Sequence, residues 1–189
     1  MTTLQRRLQR ASESKGVGIV LIDRKERETN YTWSDIYTRA SAAAGAMVDA
    51  GVKAGDRVAI VLPTGIGFFD SFFGALLVGA VPVPLYPPVR LGRLDEYAAK
   101  TGAMLTSVDA VTVVLDKRVR RVFGLVLSHC ALSLGLLDVT ALSTGKSMVN
   151  LGEPDDLAMI QFSSGTTNQP KPVALTHRAV LSNVDAILG

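Results

Sequence analysis

Val111-Thr112-Val113-Val114-Leu115 is a run of β-branched and apolar residues interrupted by one hydroxyl and no charge. A strand with one face in water alternates apolar and polar side chains. A run without alternation reads as a strand covered on both faces, as in a parallel sheet lying between helices. The segments on either side agree. Arg57 to Leu62, opened by the turn Ala54-Gly55-Asp56, and Val81 to Leu85 are further apolar strands. Between them Ile66, Phe69, Phe73, Leu76 and Leu77 recur at helical spacing until Gly79, and Leu94, Tyr97, Ala98, Thr101 and Leu105 do the same ahead of Val111. Downstream come a helical segment from Val119 to Leu127, a weaker strand near Leu134 to Val139 and a strand from Leu157 to Phe162, with Ser143 to Asp155 reading as linker. Strand alternating with helix predicts an α/β fold: an open, mostly parallel sheet with helices on both faces.

The N-terminal part adds a short helix over residues 3–13, from the spacing of Leu4, Leu8 and Ala11, and a strand from Val17 to Asp23. Thr32 followed three residues later by Asp35 is a helix-start signal. Ile36, Ala40, Ala43, Ala44 and Met47 then mark the buried face of a helix that Gly51 ends. Phe68, Phe69, Phe72 and Phe73 suit packing of a helix on a sheet better than an acyl pocket, and Met104 and Met159 are read as core in the same way.

The length of 189 residues allows one domain or one and a fraction. Apolar residues at 48% and charged residues at 20% exclude a disordered or low-complexity chain. A net charge of +3 is too small an excess to imply nucleic acid, and the cluster Lys117, Arg118, Arg120 and Arg121 reads as a solvated helix face. The single cysteine, Cys130, closes no intrachain disulfide and makes no metal site, which fits a reducing cytoplasm. Beside it, His129 reads as core or half-buried rather than as half of a catalytic pair. Arg6, Arg7 and Arg10 have no apolar run behind them, so no signal or anchor is expected there. The long uncharged stretch from Ser71 up to Arg90 carries Pro82, Pro84, Pro87 and Pro88 in its second half and is not expected to span a membrane.

The segment that stands apart is Phe162-Ser163-Ser164-Gly165-Thr166-Thr167-Asn168-Gln169-Pro170-Lys171. An apolar strand runs into four hydroxyl residues grouped around one glycine, and a lysine follows. Such donors converge readily on phosphate oxygens, each charge-assisted hydrogen bond contributing roughly 1.5–3 kcal/mol. On composition an ordinary Ser/Thr-rich loop whose hydroxyls cap their own backbone stands equally. A Walker loop is disfavoured, because Pro170 stands where that motif needs glycine before the lysine, and because Val173 to Leu175 continues as strand. Thr176 can cap a helix beginning at His177, a position that suits a structural histidine.

Phe162 to Lys171, followed by Val173-Ala174-Leu175-Thr176-His177, resembles the phosphate-binding signature of the adenylate-forming superfamily of acyl-CoA synthetases, fatty-acyl-AMP ligases, peptide-synthetase adenylation domains and luciferases. Tyr31-Thr32-Trp33, Gly51 to Val58 and Gly74 to Pro84 agree in order and spacing, and Leu85-Tyr86-Pro87-Pro88, Arg90, Gly92-Arg93-Leu94 and Glu96-Tyr97 are similar to the long-chain fatty-acyl-AMP ligase branch. Asn168 and Pro172 replace glycines of the pattern, which implies a stiffer loop.

The resemblance extends over residues 1–189 and implies the N-terminal portion of the large AMP-binding domain. The catalytic residues and the C-terminal domain are expected outside this chain. It implies that Ser163, Ser164, Gly165, Thr166, Thr167 and Lys171 hold the phosphates of ATP. The Mg2+ ligand, a glutamate, is expected downstream. The substrate implied is a fatty acid, with coenzyme A or the pantetheine arm of an acyl carrier or polyketide synthase as acceptor. A piece of this kind is expected to be inactive alone, and to be sticky where strands that would complete its sheet are missing. The other readings are a non-catalytic interaction module on the same fold and an unrelated phosphate-binding enzyme.

Overall fold

A computed structural model describes residues 2–14, 16–88, 93–143, 146, 149–163 and 170–188. Its centre is the parallel sheet that the Val111 run predicts. Strands β3 (Arg57–Val61), β4 (Val81–Leu85), β5 (Ala110–Leu115) and β6 (Leu136–Asp138) lie in the order β4-β3-β5-β6, all parallel, with Ala59 opposite both Val83 and Val113. Parallel neighbours need crossover connections, and helices supply them. Helix α3 (Ile66–Val78) connects β3 to β4, α4 (Leu94–Ser107) leads into β5, and α5 (Lys117–Leu127) follows it.

Successive side chains of each strand enter opposite cores. Val58, Ile60 and Val114 face α3 and α2 (Trp33–Asp49), where Ile36, Ala40, Ala43, Met47 and Leu77 are buried with them. Ala59, Val61, Val83, Val113 and Leu115 face α4 and α5, where Ala98, Leu105, Val119 and Phe123 close the second layer. Thr112, the one hydroxyl of the run, is buried and donates to the Gly135 carbonyl at 2.9 Å, which removes the cost of enclosing it. The expected cap of α2 is present in both directions: Asp35 N–H donates to Thr32 Oγ1, and Thr32 N–H donates to Asp35 Oδ2.

Three features depart from the sequence reading. The strand from Leu157 does not extend the parallel ladder. Strand β7 (Leu157–Ser163) pairs antiparallel with β8 (Lys171–Thr176), while Ile160 packs into the core that holds Val83 and Leu85. At the other end, β1 (Val17–Ile22) also forms an antiparallel ribbon, with β2 (Glu28–Thr32), a strand too polar to be read from periodicity.

The stretch from Ser143 to Asp155 is also no free linker. Asn150 N–H donates to the Leu77 carbonyl at 2.7 Å, and the Leu151 carbonyl accepts from Thr3 Oγ1 at 2.7 Å. The Lys146 carbonyl lies so close over α2 that a Cβ on Gly45 would collide with its oxygen. Through these contacts the described residues of this segment tie α2 and α3 to α1 (Leu4–Ser12). The N-terminal helix in turn meets α6 (His177–Leu188) through the Arg7–Asp185 ion pair at 2.7 Å.

Candidate functional site

Ser163 and Lys171 close the base of the hydroxyl-rich turn. They are paired residues at the end of the β7–β8 ladder, and Ser163 Oγ donates to the Lys171 carbonyl at 3.5 Å. Both are exposed, and among the described residues Lys171 has no ion-pair partner, so its ammonium is free to meet an anion. Ser164, Gly165, Thr166 and Thr167, the other expected phosphate ligands, lie outside the described residues, as does Asn168.

The position of this turn follows from the sheet. Strand β7 ends at Ser163 beside the carboxyl ends of β3 and β4, the edge at which open α/β sheets take their ligands. Two cavities meet there, sharing Pro84, Leu85, Tyr86, Phe162 and Ser163. One, of about 270 Å³, lies against α4 and is walled by Tyr97, Thr101, Met104 and Pro170, with the exposed Lys100 beside them. The other, of about 690 Å³, is walled by Leu62, Thr64, Phe68, Gln161, Val173 and Leu175. Tyr97 donates its hydroxyl proton to the Tyr86 carbonyl at 3.1 Å, and burial pushes its ionisation above the usual tyrosine range, so it remains a neutral donor.

Of the side chains read as core, Phe68, Phe72 and Phe73 are half-buried against the α2–α3 layer, and Phe68 also reaches a cavity. Met104 is half-buried and lines the smaller one. Periodicity places these residues on the inner face of a helix. It does not separate a side chain that fills the core from one that borders a hole in it.

Thr176 caps α6 as expected, its Oγ1 accepting from Ala179 N–H at 3.2 Å. His177 is 1% exposed, and its Nδ1 accepts from Leu4 N–H at 3.3 Å, which makes it a structural tie between α1 and α6. His129 is exposed, not core or half-buried: it sits where α5 has ended and its Cβ abuts Gly102 of α4. Cys130 is half-buried, and burial pushes its thiol up, which leaves it a poor nucleophile. Lys117, Arg118, Arg120 and Arg121 are exposed on α5, as a solvated face requires. Among the described residues no three His, Cys, Asp or Glu side chains group as a metal site. Likewise, no described helix is long and apolar enough to cross a membrane.

The family model described as AMP-binding enzyme matches residues 8–188. A long-chain-fatty-acid–AMP ligase of Mycolicibacterium smegmatis is 30% identical over 159 residues, covering 83% of this chain and 25% of that protein. A medium-chain fatty-acid–CoA ligase of Escherichia coli is 30% identical, covering 82% of this chain and 30% of that protein. A structure from a study of fatty acyl-adenylate ligases of E. coli and L. pneumophila superposes with a TM-score of 0.86 at 27% identity, covering 99% of this chain and 34% of that one. The chain thus spans between a quarter and a third of the length of these relatives.

Proposed function

We propose, because this chain belongs to the AMP-binding enzyme family, that it supplies the phosphate-gripping part of an enzyme that activates a fatty acid as its acyl adenylate. In that reaction a carboxylate oxygen attacks the α-phosphorus of ATP, the bond from that phosphorus to the bridging oxygen breaks, and pyrophosphate leaves with the bond's electrons. The protein's share is electrostatic: donors must hold the β- and γ-phosphates in line and stabilise the charge that builds on the leaving group.

The observation that carries this reading is the pairing of Ser163 with Lys171 across the base of the turn, at the carboxyl edge of the sheet. Lys171 contributes the charge, and Ser163, Ser164, Thr166 and Thr167 contribute hydroxyl donors, with Gly165 leaving the backbone free to approach the phosphates. The apolar walls of the adjoining cavities suit the hydrocarbon body of a fatty acid. Bound magnesium would neutralise phosphate charge. The described residues offer no carboxylate cluster to hold it, so no step here is assigned to it. Coenzyme A or a carrier-protein pantetheine is the proposed acceptor of the acyl group.

Calorimetric titration of the chain with ATP tests the grip. Lys171→Ala and the double change of Thr166 and Thr167 to Ala are each expected to weaken binding about tenfold or more, the loss of a charge-assisted hydrogen bond. ATP affinity indifferent to both changes overturns the assignment. Pyrophosphate exchange by this chain alone is expected to be negligible, with the remaining catalytic groups supplied by further polypeptide. Robust exchange that depends on added fatty acid would contradict that part.

A further inference from the structure

Helix α5 packs Val119, Phe123 and Val126 into the layer over the sheet, and it borders neither cavity at the carboxyl edge. Its outward face is unused by the site described above. That face begins with Lys117, Arg118, Arg120 and Arg121 and continues through Gly124, Leu125 and Leu127, all of them exposed. Leu125 and Leu127 keep 43% and 39% of their surface in water.

Two choices on this face work against the helix when the chain stands alone. Lys117 lies three residues before Arg120 and four before Arg121, and Arg118 three before Arg121, so like charges meet on neighbouring turns and repel. Gly124 stands inside the helix, where glycine is destabilising, although a Cβ there would meet nothing within 4 Å. Nor are the charges neutralised from nearby. Among the described residues none of the four cations forms an ion pair. Asp116 accepts from the backbone N–H groups of Arg118 and Val119. Asp138 lies in the field of Lys117 and Arg120 but is held first by the hydroxyl and N–H of Thr140. From Lys117 to Leu137 the sequence carries no acidic residue.

A partner suited to this face must be anionic over an extended area, to reach cations spread over more than a turn. It must also be apolar beside its charge, to cover Leu125 and Leu127. Nucleic acid meets the first condition, but the exposed residues of α5 include no aromatic ring on which a base could stack. An anionic bilayer meets both, with phosphates at its surface and hydrocarbon directly beneath. We propose that the outward face of α5 docks on an anionic lipid bilayer, its Lys and Arg side chains meeting the headgroups and Leu125 and Leu127 entering the boundary with the acyl chains. The docking does not depend on the activity proposed above.

Flotation of the 189-residue chain with vesicles of phosphatidylcholine, with and without one third phosphatidylserine, tests it. Binding is expected with the anionic vesicles alone, and is expected to weaken as potassium chloride is raised, since salt screens exposed charges. Arg118→Gln combined with Arg121→Gln keeps two long, helix-forming side chains while removing two charges, and is expected to lower the apparent affinity about tenfold or more. Leu125→Gln combined with Leu127→Gln is expected to lower it about fivefold or more by removing the apolar contact. The urea midpoint of the arginine double variant is expected to stay at or above the parent's, because like-charge repulsion is relieved. A marked fall there would make the two arginines part of the fold and overturns the proposal. Equal binding to neutral vesicles, no binding to anionic ones, or unchanged affinity in the arginine double variant overturns it as well. So does unchanged affinity in the leucine double variant, which would mark the face as a dock for an acidic protein or a nucleic acid instead.

Discussion

The parallel sheet and the β7–β8 ribbon are built from strands of similar length and serve opposite ends. Every residue of β3 from Val58 to Val61 is fully buried, and Val113 to Leu115 of β5 are equally enclosed, so each strand stabilises two layers at once. In β8 the first four residues are exposed, and Val173 keeps 42% of its surface in water. Apolar burial at about 25 cal/mol per Å² makes the first region the main source of stability and leaves the second with its ladder and the β7 anchors Ala158, Ile160 and Phe162. The candidate phosphate site sits on the weaker ribbon. A loop that must meet a ligand is drawn from the less stable part of a fold, and the rigid sheet beside it holds its base in place.

The comparison breaks most visibly in the sheet. Among the described residues Phe123 is the largest fully buried side chain, and it closes the α4–α5 layer over β5. Phe123→Ala is expected to cost about 3–5 kcal/mol, enough to unfold a marginal domain. Urea denaturation of parent and variant measures it. A loss under about 1 kcal/mol would mean that this layer is not the load it appears to be from burial.

The division between these regions was partly legible beforehand. Val111 to Leu115 announced double burial because it does not alternate, and Thr32 with Asp35 announced the start of α2 through a local, reciprocal pair of bonds. What escaped depends on contacts distant in sequence. Glu28 to Thr32 has no apolar rhythm and becomes a strand only because Val17 to Ile22 lies beside it. Lys146, Asn150 and Leu151 belong to no regular element, and what places them is the side-chain-free surface at Gly45, Leu77 and Thr3. At the site, the hydroxyl run was plain in the sequence, and so was the strand after it. The antiparallel return that sets Lys171 opposite Ser163 was not, because a preceding series of parallel strands argues for another of the same kind.

A smaller effect separates the two regions by pH. His177 follows directly on β8 and is held by α1, and burial lowers its pKa while Asp156 opposes that shift. The folded state therefore prefers the neutral ring, whereas the unfolded chain takes up a proton near the ordinary value of 6.5. Stability from this source is complete above that value and is lost as the pH falls through the depressed folded value. Asp23, Asp35, Asp138 and Asp155, held below the usual carboxylate range by their hydrogen-bonded partners, act only in a more acidic window. The urea midpoint is expected to fall between pH 7 and pH 5, and to fall less steeply in His177→Phe. Equal slopes in the two proteins would remove His177 as the cause.

The smallest expected effect is the sharpest test of the contrast. Val173 and Phe123 are both apolar residues in regular elements, and area alone distinguishes them. If β8 is a solvated ribbon, Val173→Ser leaves stability within about 0.5 kcal/mol of the parent, since the residue already keeps much of its surface in water and the exchange costs mainly some strand propensity. A loss of several kcal/mol would require that this face be covered in solution. Concentration then tells which kind of cover it is: a second copy of the chain makes the loss grow with protein concentration, whereas cover from within the same molecule leaves it constant.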